Sequence, residues 1–202
     1  MKLKPGQRRT KVIEESLSFM VEVRDKEGRI LQRMAGPAHS YVEQWNQIVC
    51  LMTRVGNLSV KDTVGTDWGG YATTRSLSAD AAIGDTDTGI RVGKGTTPVA
   101  IDDYALETPC VEGSGVDQFE HQAVAFTAPV VVGSDCSFIA KRAMLNNSGA
   151  TITGIREIGC YVGFTGAASG KRAMGFRDVL GSALTVPDGG AITVTYRLRV
   201  TV

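Results

Sequence analysis

The stretch GIRVGKGTTP at residues 89–98 has the residue types of a loop that binds phosphate. A phosphate loop has the pattern G-x-x-x-x-G-K-[ST] and is followed by a helix, whose N-terminal amides bind the phosphate. Here three residues, rather than four, separate Gly89 from Gly93, and Gly95 follows Lys94 where Ser or Thr is required. No helical apolar stripe follows the stretch. It therefore predicts a strand and a turn, with no nucleotide bound.

The acidic segment DTDTG at residues 85–89 begins like a calcium-binding loop, because Asp85 and Asp87 alternate along it. An EF-hand loop continues with a third oxygen ligand and ends with a bidentate Glu. Both are missing here. We therefore expect an Asx turn, in which a carboxylate accepts hydrogen bonds from its own backbone.

Candidate acids, bases and nucleophiles are few. His39 and His121 do not lie beside a nucleophile motif, since GSG around Ser114 is not G-x-S-x-G. The carboxylates that could pair in space are Asp102, Asp103, Glu107 and Glu112. No spacing requires such a pair, so we expect turn or solvent-facing roles for them. The sequence predicts no catalytic residue, no enzymatic activity and no cofactor.

The four cysteines are far apart and form no C-x-x-C pair. They are Cys50, Cys110, Cys136 and Cys160. Structural zinc prefers closely spaced ligand pairs, so we predict no metal site. Buried reduced thiols are the expected state, with disulfides as the alternative in an extracellular setting.

Charge is nearly balanced over the 202 residues, with a net value of +1, but it is uneven along the chain. Residues 1–13 contain five cations and no acid, which leaves −4 for the remainder. The cations are Lys2, Lys4, Arg8, Arg9 and Lys11. We expect this basic N-terminal arm to contact acidic patches of other chains, with a solvated tail as the alternative. Nucleic acid is not the expected partner, and no apolar run is long enough for a membrane helix.

Two segments alternate between apolar and polar residues, as half-buried strands do. The clearer one is AITVTYRLRVTV at residues 191–202, which follows the turn VPDGG. The other contains Leu17, Phe19, Val21 and Val23, and RDKEG at residues 24–28 would turn it back into RILQRM.

A single amphipathic helix is predicted over residues 40–55. Ser40 and Glu43 form a capping box, and Gly56 is a plausible stop. The apolar stripe consists of Val42, Trp45, Val49 and Met52. Such a stripe usually packs on the core, and a groove on a partner is the alternative.

Residues 57–88 are rich in Gly, Thr, Ser and Asp without a period, which predicts a long loop or extended arm. Short strand-like runs separated by turn clusters follow it. This spacing predicts a mainly β fold, an antiparallel β-sandwich or jelly-roll, in which residues 14–202 form a single domain.

Four segments together resemble a group of small structural proteins of tailed bacteriophages. They are GIRVGKGTTPVAIDDYALETP, NNSGATITGIREIGCYV, FRDVL and ALTVPDGGAITVTYRLRVTV, mostly after Gly89. In that group a strand leads into VG.GTTP and DY.LE, and NNSGA.ITV.EIGLY, RDVL and VPDG..LTVTY follow in that order. Lys94 stands where that group usually has a small residue, and Cys160 where it usually has an apolar residue. The loop at residues 64–83 is elaborated in this sequence beyond the pattern of the group.

The resemblance implies a non-enzymatic virion component that is assembled in the host cytoplasm. A tail-associated place in the neck, collar, baseplate or fibre anchor is the first expectation. A head-decoration protein and a receptor- or carbohydrate-binding module are the alternatives. Its partners would be other virion proteins and copies of itself. We expect contacts through the basic arm and through Trp68 and Tyr71, exposed aromatics in a Gly-rich loop.

Overall fold

The computed structural model of the chain describes residues 14–38, 41–45, 47, 58–70, 77–164 and 170–201. Within them the fold is mainly β, as the sequence predicts. The described strands are β1 (Glu14–Arg24), β2 (Ile30–Pro37), β3 (Leu58–Lys61), β4 (Asp67–Gly70), β5 (Leu77–Ser78), β6 (Gly89–Gly93), β7 (Val111–Glu112), β8 (Gln118–His121), β9 (Ala125–Phe126), β10 (Val130–Val132), β11 (Asp135–Leu145), β12 (Ile152–Phe164), β13 (Arg172–Val186) and β14 (Ala191–Thr201).

The larger sheet contains eight of these strands, in the order β2-β1-β14-β11-β8-β7, and β9 and β10 also pair with β11. All of its pairs are antiparallel except β7 with β8, which are parallel. Strands β8, β9 and β10 follow one another along the same side of β11. This part of the chain therefore forms an interrupted edge beside one long strand.

The smaller sheet contains four strands, with β12 between β13 on one side and both β5 and β6 on the other. All of its pairs are antiparallel. The hairpin of β3 and β4 forms a separate two-stranded sheet.

The two larger sheets share one hydrophobic core. Val21 and Val194 of the eight-stranded sheet and Ile90 and Ile158 of the four-stranded sheet are all fully buried in the same cluster. Aromatic rings meet across it, since the ring centroids of Phe176 and Tyr196 are 5.5 Å apart. Burying each such side chain contributes about 2 kcal/mol to stability relative to leaving it exposed. The apolar faces of the strands are thus what hold the sheets together.

The two strongest strand predictions are confirmed. The alternating C-terminal segment forms β14, whose residues Ile192, Val194 and Tyr196 are fully buried. The N-terminal alternation and its return form β1 and β2, which pair with each other. The expected turn lies between them, and Asp25 accepts hydrogen bonds there from the amides of Glu27 and Arg29.

The helix predicted over residues 40–55 is present only in part. Among the described residues of that range, 43–45 and 47 are helical, and Ser40, residue 46 and residues 48–55 lie outside the description. The backbone before this turn pairs with the small sheet: Tyr41 bridges to Phe176, and the Val42 amide donates to the Gly175 carbonyl. Tertiary pairing therefore shapes the start of a segment that the apolar spacing predicts as helix.

The segment 57–88, predicted as a loop or extended arm, contains β3, β4 and β5 among its described residues. The turn between β3 and β4 is held by Asp62, whose Oδ1 accepts hydrogen bonds from the amides of Val64 and Thr66. A side-chain acceptor of this kind stabilises a turn in a sequence without any apolar period.

A loop of residues 94–109 covers the face of the small sheet that points away from the shared core. Its ends pair with each other, because the Lys94 amide donates to the Thr108 carbonyl at 2.8 Å. Its Leu106 is buried and lies over Gly159. A Cβ atom on Gly159 would stand 2.8 Å from Leu106 Cδ2, so only glycine allows this close approach.

Arg142 on β11 holds the segment of residues 82–90 by donating hydrogen bonds to its backbone carbonyls. It is 1 % exposed, and Nε donates to the Gln122 carbonyl at 2.6 Å. Its terminal nitrogens donate to further carbonyls, those of Ala82, Asp85, Thr88 and Ile90. A buried guanidinium is tolerated when its donors are paired in this way. Arg142 therefore ties residues 82–90 to the large sheet.

Arg142→Ala is expected to lower the free energy of unfolding by about 3 kcal/mol, because five carbonyl contacts lose their donor. Urea denaturation measures this. Lys141→Ala is the matched control, since Lys141 is the exposed neighbour on the same strand and should change stability by less than about 0.5 kcal/mol. Equal effects of the two substitutions would contradict the assigned role.

Candidate functional site

The turn after β6 binds an anion that belongs to the protein itself. The carboxylate of Glu107 accepts hydrogen bonds from the amides of Thr96 and Thr97 at 2.8 and 2.9 Å, and from the Thr97 hydroxyl at 2.8 Å. Donation from the Thr97 amide, then from its hydroxyl and the Thr96 amide, lowers the pKa of Glu107. Lys94 pairs with Asp117 at 2.6 Å. The amides and the cation that resemble a phosphate loop are thus occupied by side-chain carboxylates.

A buried ion pair lies beneath this turn. Glu157 on β12 is fully buried, and Arg177 on β13 is 1 % exposed. Arg177 Nε donates to Glu157 Oε1 at 2.8 Å. The same carboxylate accepts the amide of Glu107 at 2.7 Å and that of Thr108 at 3.2 Å. The two charges of the pair therefore neutralise each other, and Glu157 also holds the 94–109 loop through the backbone amides that donate to it.

The other nitrogens of Arg177 reach the opposite limb of the loop. Nη1 donates to Asp103 Oδ2 at 2.7 Å, and Nη2 donates to the Thr97 carbonyl at 3.1 Å. Glycine is required nearby, because a Cβ atom on Gly93 would stand 2.5 Å from Glu157 Oε2. We name the set Asp103, Glu107, Glu157 and Arg177 the loop clamp.

Breaking the loop clamp from either side is expected to destabilise the fold. Arg177→Met and Glu157→Gln should each lower the free energy of unfolding by about 3 kcal/mol, because each leaves a buried partner uncompensated. The double variant should lose at least about 1 kcal/mol less than the sum of the two. Chemical denaturation of all four proteins measures the coupling, and strictly additive losses would contradict a direct interaction.

The structure distributes the candidate carboxylates over different partners. Asp103 and Glu107 meet at Arg177, whereas Glu112 contacts His121. Asp85 forms the expected Asx turn, accepting the amide of Asp87 at 2.7 Å. These contacts hold loops in place.

His121 is fully buried, and its imidazole ring is neutral there. Its Nδ1 lies 2.7 Å from Glu112 Oε2 and 3.1 Å from the Phe119 carbonyl, and both oxygens accept. The Nδ1 atom therefore carries the proton, and the buried Nε2 has no partner among the described residues. Burial lowers the pKa of His121, although the hydrogen bond to Glu112 opposes this.

Stability is expected to fall as the pH drops below 6.5, the ordinary pKa of histidine. The unfolded chain takes up a proton there while the folded His121 stays neutral, so the free energy of unfolding declines by up to about 1.4 kcal/mol per pH unit. The decline ends at the lowered pKa of the folded state. Denaturation between pH 7 and pH 5 measures the slope. His121→Gln should flatten it, and an unchanged slope would contradict the assignment to this residue.

The described cysteines are free thiols. Burial raises the pKa of Cys110 to about 11 and that of Cys160 to about 12, so neither forms a thiolate readily. Cys136 is exposed, and Cys50 lies outside the described residues. The expected burial is confirmed for Cys110 and Cys160 and is wrong for Cys136.

An exposed apolar edge is the most prominent surface feature. The β10 residues Val130, Val131 and Val132 are 55, 71 and 72 % exposed, so both faces of this strand meet solvent. The Phe126 side chain of β9 is 46 % exposed beside the same strand β11. Among the described strands β10 pairs with β11 alone, which leaves its outer row of backbone groups available.

The residues predicted to make contacts fall mostly outside the description. This applies to Lys2, Lys4, Arg8, Arg9, Lys11 and Tyr71. The backbone of Trp68 lies in β4 opposite Val60, and its side chain lies outside the description. The sequence predicts short strands after residue 88, but it does not predict the exposure of the β10 valines. The available signal was three consecutive valines between Pro129 and Gly133, without the alternation of a half-buried strand.

Comparisons with protein-family models, with curated proteins and with solved structures found no match. In the part of the chain that the structure describes, no helix has the length and apolar character to cross a membrane. Within the same residues, no three His, Cys, Asp or Glu side chains converge as a metal site would require.

Proposed function

We propose that this protein is a non-enzymatic structural component that acts by associating with other subunits through its β9–β10 edge. The observation that carries the proposal is the exposure of three consecutive valines on a strand whose outer side pairs with none of the other described strands. Soluble proteins usually protect such edges with charged side chains, proline or a covering segment. An unprotected edge can instead be completed by a strand from another chain, with main-chain hydrogen bonds and apolar contacts.

The contact is best explained by a second copy of the chain. The segment Val130–Val132 is uncharged and reads the same in both directions, so an antiparallel partner of identical sequence presents matching residues across a two-fold axis. No charge on the strand selects against a copy of itself. The central residue would be Val131, which would face its own counterpart.

The particle in which this association takes place is proposed from the resemblance to tailed-bacteriophage proteins. We place the chain in a virion, associated with the tail at the neck, baseplate or fibre anchor. Two sheets with a common core support a β-sandwich as its body, a rigid unit from which an edge can project. Mass spectrometry of purified particles tests the placement, and absence of the chain from them contradicts it.

Val131→Lys is expected to weaken self-association at least tenfold, because a charge on each copy would be brought to the axis of the contact. Analytical ultracentrifugation over a range of concentrations measures the dissociation constant. The melting temperature of the dissociated chain should stay unchanged, because Val131 is 71 % exposed and contributes little to the core.

Val116→Lys is the matched control, since Val116 is 77 % exposed and lies outside the β9–β10 edge. It should associate as the unsubstituted chain does. A chain that remains monomeric at high concentration, or an equal effect of both substitutions, would contradict association through this edge.

A further inference from the structure

Three arginines are buried among the described residues, and one of them is incompletely paired. Arg142 and Arg177 are each 1 % exposed, and Arg91 on β6 is 9 % exposed. A guanidinium has five N–H donors and a fixed positive charge, so burying it without partners is costly. The hydrogen-bond partners of each guanidinium therefore show whether contacts within the chain compensate the cost of burying it.

Arg142 and Arg177 are satisfied within the chain. Arg142 donates from all three nitrogens to backbone carbonyls. Arg177 donates to the carboxylates of Glu157 and Asp103 and to a carbonyl. No nitrogen of either guanidinium is buried without a hydrogen-bond partner.

Arg91 differs from both. Its Nη2 donates to the Cys110 carbonyl at 2.7 Å, and its guanidinium lies 5.6 Å from the centre of the Tyr161 ring. Its Nε is buried with no hydrogen-bond partner among the described residues. Within the same residues, no carboxylate lies at ion-pair distance from it. Among the described residues, Arg91 therefore lacks an anionic partner of the kind that Arg177 has.

Arg91 also lines a cavity of about 280 Å³. Leu106 and Pro109 of the 94–109 loop contribute apolar wall, and Thr63 and Thr86 are polar residues of the lining. Tyr161 completes the wall on which the guanidinium lies. A small cavity with a partly apolar wall, a cation and a few other polar groups is the usual composition of a site for a small ligand.

We propose that this cavity binds a small monocarboxylate, with Arg91 as the residue that recognises the charged end. A guanidinium binds a carboxylate through two parallel N–H donors, and the donors that Cys110 leaves unused would serve this purpose. The apolar wall would receive a short alkyl chain. The volume suits a ligand of a few carbon atoms.

The surrounding charges favour a single negative charge on the ligand. Asp87 lines the same cavity and is 63 % exposed at its side chain, and Arg172 neutralises it at 2.5 Å. Arg91 is the one cation of the lining, and it has no acidic partner among the described residues. A dianion such as phosphate would exceed this charge and would meet an apolar wall.

Butyrate is the probe for this proposal, with butyramide as its neutral equivalent and the ionic strength held constant with sodium chloride. Titration followed by amide chemical shifts should show saturable binding of butyrate, with shifts concentrated at residues 63–64, 86–91 and 105–109. Butyramide should bind at least tenfold more weakly. Equal binding of the two, or no saturation by butyrate, would overturn the proposal and leave a cavity that holds only water.

Arg91→Gln should weaken butyrate binding at least tenfold, and Arg91→Lys should weaken it less, because lysine keeps the charge but not the paired donors. Arg197→Gln is the control, since Arg197 is exposed on β14 of the other sheet. Unchanged binding by Arg91→Gln, or tighter binding of phosphate than of butyrate, would contradict the assignment. If Arg91→Gln does not fold, the comparison of butyrate with butyramide on the unsubstituted chain still decides it. Association through the β9–β10 edge is not needed for any of these outcomes.

Discussion

The ion pair between Glu157 and Arg177 is the interaction on which the outer face of the small sheet depends. Strand residues alternate between two faces, so Ile90 and Val92 enter the shared core while Arg91 between them points the other way. The outward face of the sheet therefore carries charge that has to be covered. The 94–109 loop covers it, and it can do so because its amides and carboxylates complete the hydrogen bonding of the two buried ions.

This arrangement favours one loop conformation more than it adds net stability. Removing two ions from water is costly, and an apolar replacement of the whole pair is often neutral in other proteins. The ion pair instead selects one position of the loop. Each oxygen and nitrogen accepts or donates in a fixed direction, so a shifted loop would leave several buried groups unpaired. The glycines at positions 93 and 159 fit this explanation, because they allow the close approach that the contacts need.

The sequence predicts the fold better than the site. Strands β1, β2 and β14 are visible because their apolar residues alternate over many positions. The loop clamp has no such local signal, since Arg177 lies 20 residues from Glu157 and 74 from Asp103. The stretch GKGTTP has the residue types of a phosphate loop and is predicted as a turn, but the sequence does not show that its Thr97 amide donates to Glu107, 10 residues further on. Arg91 and the β10 valines also lie in segments that are readable as strands, and only tertiary packing decides which side chains are buried.

The position of β14 has a consequence for how the chain is made. This strand lies between β1 and β11 in the large sheet, although it is translated after both. The eight-stranded sheet cannot close until β14 has left the ribosome, and until then β1 and β11 each present an unpaired strand edge. Pairing across most of the chain length also slows folding, because the closure entropy of a long loop precedes the gain from contacts. Between the synthesis of β1 and that of β14, the nascent chain therefore carries unpaired strand edges that are open to misassociation and to chaperone binding.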